Sequence, residues 1–150
     1  MFDFLIVGQG LAGTVLSHRL TQRGCSFQVI ADDFTGTSSE VAAGLINPIT
    51  GRRLVKSWRF EELRASLEPF YQELEQTLEQ RFIFPLSIIR ILKDAKAQNL
   101  WDVQTAKSGY ESYIASKVDQ AAFSEVIRDF PSYGQVNGGY TVDWPRLLRA

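Results

Sequence analysis

The run Gly8-Gln9-Gly10-Leu11-Ala12-Gly13 constrains this 150-residue chain more than any other feature. It follows the continuous apolar stretch Phe4-Leu5-Ile6-Val7. It opens a segment, Leu11 to Arg23, in which the apolar residues Leu11, Val15, Leu16 and Leu20 recur near helical period. Gly24 is placed to end that helix in a left-handed conformation. Phe27-Gln28-Val29-Ile30 then reads as a second strand. Strand, glycine turn, helix and strand make a βαβ unit, whose two strands lie parallel and whose connection is right-handed. Because the first strand is apolar throughout, it is expected to be buried on both faces, as in a parallel sheet.

Each glycine has its own task in such a unit. Gly8 allows the tight exit from the strand, Gly10 leaves room for two linked phosphates to approach the main chain, and Gly13 lets the helix pack close to the sheet. The amides at the start of the helix, those of Leu11, Ala12 and Gly13 among them, have no acceptor within it, and the positive end of the helix dipole lies there too. Both suit the pyrophosphate of a dinucleotide. The alternative, a glycine turn of purely structural use, is disfavoured by the strand–turn–helix–strand context. An acidic residue at the end of the second strand would bind the ribose hydroxyls. Ala31 stands at the usual place, and Asp32 and Asp33 follow it. Asp32 is the first choice and Asp33 the alternative, and either also serves as an ordinary turn former. A carboxylate there disfavours a 2′-phosphate, which argues against NADP.

Farther on, Asp32 to Glu40 is polar and reads as a loop, and Val41 to Pro48 is small and apolar. Trp58 to Arg81 is amphipathic, with Phe60, Leu63, Leu67, Phe70, Leu74 and Leu78 on one stripe. Pro69 inside it predicts either a helix that begins anew or a kink. Phe84 to Leu92 is strand-like, and Pro85 places the start of that strand near an edge. Ala95 to Lys107 suits a short helix. Tyr133 to Val142 alternates around Gly138-Gly139, which predicts paired antiparallel strands or a bulge. Asp143 is placed to cap a helix from Trp144, with Pro145 at its first position.

Two further motifs join the glycine turn in a family likeness. Phe4 to Gly13, the helix ending at Gly24 and Val29-Ile30-Ala31-Asp32 resemble the N-terminus of FAD-dependent oxidoreductases of the D-amino-acid oxidase type. So does Ser38-Ser39-Glu40-Val41-Ala42-Ala43-Gly44-Leu45-Ile46-Asn47-Pro48, since in that family a serine followed by small residues, glycine and often Asn-Pro lies against the flavin. Tyr140 to Leu148 resembles the family's passage into its next helix. The resemblance implies an α/β fold: a Rossmann-like parallel sheet that binds FAD or NAD(P), followed by the start of an antiparallel substrate domain. It implies FAD as cofactor, with Ser39, Ala43, Gly44, Leu45 and Asn47 beside the flavin and Gly8, Gly10, Leu11, Ala12, Gly13 and Asp32 or Asp33 on the dinucleotide. A broad flat ring needs small neighbours and accessible amides, which this segment supplies, although Val41 to Ile46 reads equally as buried core.

The organisation expected from the resemblance is a FAD-binding portion with its flavin-adjacent segment over 1–57, a connecting helix over 58–82, and the beginning of a substrate domain over 83–150. The family is longer than this chain, which is therefore expected to be an N-terminal portion. The implied reaction is oxidation of a C–N bond in a small amine or amino acid, with the flavin carrying the chemistry and no catalytic residue named here. The alternative is a dinucleotide-binding module, or an incomplete chain, without turnover of its own.

Composition excludes other classes. Sixteen basic and seventeen acidic residues leave a net charge of −1, so no global field favours nucleic acid or a membrane surface. The one basic cluster, Gly51 to Lys56, reads as a solvated loop, with a phosphate or carboxylate contact of Arg52 as the lesser reading. No stretch approaches the roughly 18 apolar residues of a membrane span. A single cysteine, Cys25, rules out an internal disulfide, and a soluble cytoplasmic protein is expected. Cys25 is expected to be inert packing, His18 to lie on the surface or between helices, and Trp58, Trp101 and Trp144 to serve core or domain contacts. No metal site is expected.

Overall fold

The computed structural model describes residues 1–32, 37–115, 118, 126 and 132–150. Strand β1 (Phe4–Val7) pairs in parallel with β2 (Phe27–Ile30), in the register Phe4 to Phe27 through Val7 to Ile30. Helix α1 (Leu11–Gln22) connects them. Arg23 ends the helix and Gly24 follows at φ +66°, the left-handed exit that glycine adopts without cost.

The expectation that β1 is buried on both faces is overturned. Ile6 is buried at 5% exposure, while Leu5 is 60% and Val7 80% exposed. Among the described residues β1 and β2 have no sheet partner but each other, so only the face under α1 is covered.

Helix α2 is one turn (Ser38–Val41), started by the Thr37 hydroxyl, which accepts from the Glu40 amide. Strand β3 (Leu45–Ile46) leads to a small hairpin, β4 (Ile49–Thr50) and β5 (Val55–Lys56). Helix α3 (Phe60–Leu78) then runs nineteen residues without interruption, with Pro69 inside it, so the helix does not begin anew. Its stripe buries Phe60, Phe70, Tyr71 and Leu74, whereas Leu63 stays half exposed.

Strands β6 (Ile83–Leu92), β7 (Ile114–Ala115) and β8 (Ser132–Val142) complete an antiparallel sheet with β3. The long central strand β8 pairs with β3, β6 and β7. The residues around Gly138-Gly139 belong to one strand rather than two. The register against β6 slips by one residue between Leu86 and Ile88, and Gly138 sits in that bulge at φ +73°. Pro85 lies near the start of β6, which ends the sheet path and so tolerates a residue without an amide hydrogen. Helix α4 (Ala95–Thr105) is capped by Asp94, and α5 (Trp144–Arg149) by Asp143, whose carboxylate accepts from the Arg146 amide at 3.0 Å.

Two apolar cores hold these pieces. In one, Ile49, Leu54, Phe60, Leu92, Trp101 and Val136 join the small hairpin and α4 to the antiparallel sheet. In the other, Phe70, Tyr71, Leu74, Phe82 and Trp144 lie between α3 and α5, and Leu11 and Val15 of α1 pack onto them. That contact ties the βαβ unit to the rest. His18 also faces α3, edge-on to the Phe70 ring at 5.6 Å. Trp101 and Trp144 are buried, but Trp58 is 76% exposed and carries the Arg59 guanidinium on its ring, so it is no core residue here. Among the described residues no helix is long and apolar enough to cross a membrane.

Candidate functional site

The mouth of α1 is built as tightly as its glycines require. Gly8 leaves β1 at φ +88° and its amide donates to the Ile30 carbonyl at 2.8 Å, closing the turn onto β2. A Cβ on Gly13 would stand 2.1 Å from the Gly8 carbonyl oxygen, so only glycine allows this approach of helix to turn. Ser39 of α2 reaches the same mouth from 28 residues away: its hydroxyl accepts from the Leu11 amide at 3.0 Å. A Cβ on Gly10 would lie 2.8 Å from that oxygen. The amides of Ala12 and Gly13, in the first turn, lie beyond any intrahelical acceptor. An anion arriving here therefore meets backbone donors at the positive end of a twelve-residue helix and one rotatable hydroxyl. These features fit a diphosphate.

Asp32 is exposed two residues past the end of β2, on the same side of the unit as the glycine turn. Asp33 lies outside the described residues.

The strip from Ala43 to Asn47 is placed by the antiparallel sheet instead. Ala43 and Leu45 are exposed, and Gly44 is buried at φ +67°. A Cβ on Gly44 would stand 1.9 Å from the Val142 carbonyl oxygen, and the Val142 amide donates to the Gly44 carbonyl at 2.9 Å. Leu45 and Ile46 pair with Thr141 and Tyr140. The Asn47 side chain is spent locally: it accepts from the Ile49 amide at 3.0 Å, an Asx turn that carries the chain past the buried Pro48. The structure thus joins Gly10 and Leu11 directly to Ser39, and puts Leu45 and Asn47 on a separate cleft.

That cleft holds about 410 Å³ between α3 and the sheet, with Leu45, Phe60, Leu63 and Leu67 as its apolar walls and Arg64 and Tyr140 at one side. A second hollow of about 380 Å³, at the β6–β8 bulge, shares Arg64 and Tyr140 with it. Arg64 donates through Nε to Glu68 at 3.1 Å, and the Tyr140 hydroxyl donates to the same carboxylate oxygen. The Tyr140 hydroxyl, and then the guanidinium, hold the Glu68 carboxyl below the usual range, while burial and the bond to Glu68 push Tyr140 up. None of Arg64, Glu68 or Tyr140 was expected from the sequence as a site residue. The available signal was on α3: Arg64 and Glu68 fall at i+4 and i+8 from Phe60, two charges along the apolar side of the helix.

The basic cluster behaves as a surface loop. Arg52 and Arg53 are exposed, and Lys56 turns to Glu61 and to the rings of Tyr110 and Tyr113. Cys25 is half-buried beside α1's end.

No family model matches the chain. Solved structures do match it over almost its whole length. A glycine oxidase from Bacillus cereus ATCC 14579 superposes with a TM-score of 0.77 at 17% identity, over 99% of this chain and 43% of its own. The fold is that of D-amino-acid-oxidase-type proteins. An iminodiacetate oxidase from Chelativorans sp. BNC1 gives 0.72 at 16% identity, over 98% of this chain and 44% of its own. An L-amino acid deaminase from Proteus myxofaciens, in complex with anthranilate, gives 0.68 at 16% identity, over 99% and 35%. The chain therefore spans less than half the length of each of these D-amino-acid-oxidase-type structures.

Proposed function

We propose that this chain forms the dinucleotide-holding part of a FAD-dependent oxidoreductase that oxidises a C–N bond of a small amine or amino acid. One observation carries the reading: the α1 mouth, where glycines at 8, 10 and 13 open a helix whose Ala12 and Gly13 amides have no acceptor within it and whose Leu11 amide Ser39 meets from α2. The shared fold with amino-acid oxidases and a deaminase supports the choice of FAD over other dinucleotides. Gly8, Gly10, Leu11, Ala12 and Gly13 would shape the diphosphate's seat, with Ala12 and Gly13 as backbone donors, Gly8 holding the turn to β2 and the Leu11 amide shared with Ser39, and Asp32 or Asp33 would hold the ribose. Ser39, Ala43, Gly44, Leu45 and Asn47 would border the flavin, where small exposed residues leave room for a flat ring. When bound, the flavin supplies the acceptor for the substrate's hydride. The chain's own residues bind and orient it.

In this reading β1, α1 and β2 begin a Rossmann-like sheet. Residues 1–57 form the FAD-binding portion, 58–82 the connecting helix, and 83–150 the start of the substrate domain. A single cysteine suits work in the reducing cytoplasm.

The test is colour and titration. Purified protein is expected to be yellow, or to turn so with added FAD, and to bind FAD in preference to NAD. Gly10→Val is expected to lose FAD, because its side chain takes the phosphates' space and pushes the Ser39 hydroxyl aside. Colourless protein that ignores FAD and binds NAD overturns the cofactor assignment, and undiminished FAD affinity in Gly10→Val overturns the placement of the diphosphate.

A further inference from the structure

Three large apolar side chains that the fold leaves in water stand on one cleft. Leu45 and Leu63 are half exposed and Trp58 is 76% exposed, and all three line the hollow between α3 and the sheet. A single exposed apolar residue marks nothing, but a gathered apolar surface marks a groove with an occupant. Trp58 offers the broadest flat surface of the three. The chain fixes where it stands. The Ser57 amide donates to the Pro48 carbonyl at 2.8 Å, and the Ser57 hydroxyl donates to the Asn47 carbonyl at 2.6 Å. On the other side Phe60 is buried in the core. Trp58 therefore projects between two anchors, next to the strip that ends in Asn47. The Arg59 guanidinium stacks on its ring at 5.0 Å and is itself bonded to Glu62. Backbone strain gathers here as well. Among the described residues three that are not glycine have positive φ. Glu79 merely ends α3, while Leu54 (φ +52°) and Arg59 (φ +50°) bracket β5 and Trp58. A side chain adopts that region only at a cost, and such residues cluster in segments that meet ligands.

We propose that Trp58 is a contact residue for the flavin: the indole lies against the flat ring in this cleft, and the same ring covers Leu45 and Leu63. The inference rests on the FAD reading and adds to it a side chain from beyond the Ala43 to Asn47 strip. A broad aromatic ring takes all three exposed side chains out of water together, which a small or strongly hydrated ligand does not. The diphosphate end of the dinucleotide, at the α1 mouth, has no part in this contact.

The experiment compares FAD with ADP, which carries the diphosphate without the flavin, on the full chain. Oxidative labelling read by mass spectrometry reports how open each tryptophan is. Without ligand Trp58 is expected to label fastest, since Trp101 and Trp144 are buried. FAD is expected to slow the labelling of Trp58, and ADP to leave it unchanged. Trp58→Ala changes an exposed position, and parent-like circular dichroism checks that it folds. It is expected to weaken FAD by several-fold to about tenfold while leaving ADP affinity as it was. Its bound flavin is expected to emit more brightly, because a stacked indole quenches flavin emission, with Trp58→Phe intermediate in affinity. Labelling of Trp58 that FAD does not slow, or that ADP slows equally, overturns the proposal. So does Trp58→Ala with unchanged FAD affinity and equally dim flavin. In each of these cases FAD still binds, so the flavin reading stands. Protein that ignores FAD overturns both.

Discussion

The Ser39 hydroxyl accepts the Leu11 amide at 3.0 Å, joining a one-turn helix to the mouth of α1 across 28 residues. The same oxygen lies 2.8 Å from where a Gly10 side chain would begin. A bond of this kind contributes about 1 kcal/mol. Ser39→Ala should therefore lower stability by about that amount, read from the urea midpoint at unchanged slope. Gly10→Ala pushes the hydroxyl aside and breaks the same bond. The double variant should lose less than the sum of the two singles, since one bond cannot be broken twice. Strict additivity would mean that the two residues do not share it.

Gly44 and Gly51 both sit at left-handed φ, +67° and +70°, in very different surroundings. A Cβ on Gly51 meets nothing within 4 Å, so Gly51→Ala should cost only the conformational term of about 1–2 kcal/mol. Gly44→Ala meets the Val142 carbonyl oxygen at 1.9 Å and must also part β3 from β8. Its loss should exceed that of Gly51→Ala by about 1 kcal/mol or more. Equal losses in chemical denaturation would show that β3 is not held against β8 as described.

The elements near their own signals were legible in the sequence. The glycine turn, the apolar period of Leu11, Val15 and Leu20, and the Asp143 cap with Pro145 each act over a few residues, and β1, α1, β2 and α5 form where those signals lie. The environment of β1 was not legible, because a run such as Phe4 to Val7 records what a strand can bury, not which neighbours are there to bury it. Leu5 and Val7 are exposed for want of a second layer. The Arg64–Glu68–Tyr140 cluster was hidden for another reason. It joins a helix to a strand 72 residues away from Glu68, and only the β6–β8 register places Tyr140 beside α3. Pro69 reads as a helix breaker, yet α3 continues through it, since burial of Phe70, Tyr71 and Leu74 outweighs one missing hydrogen bond.

His18 leaves its Nε2 buried without a partner among the described residues, while its ring packs edge-on to Phe70. An unmet buried polar atom costs about 1–3 kcal/mol. His18→Phe keeps the ring contact and removes that atom, so its thermal midpoint should rise, by an amount equivalent to about 1 kcal/mol. A falling midpoint would mean that Nε2 has found an acceptor or donor in solution.

Acid should loosen the protein through Glu68. Its carboxyl is held below the ordinary glutamate range, first by the Tyr140 hydroxyl and then by Arg64. A depressed carboxyl binds protons more readily in the unfolded chain than in the folded one. Its stabilisation is therefore present above about pH 4.3, the ordinary value for glutamate, and is lost as pH falls through the lower folded value. The carboxylate is only partly shielded from water, with 43% of its side chain exposed, so the effect is modest and salt weakens it. Glu68→Gln should be less stable than the parent at neutral pH, and the two should converge in acid, because the parent loses there what the variant never had. Urea midpoints between neutral pH and about pH 3 make the comparison. A gap that stays constant across that range would mean that Glu68 contributes through shape rather than charge.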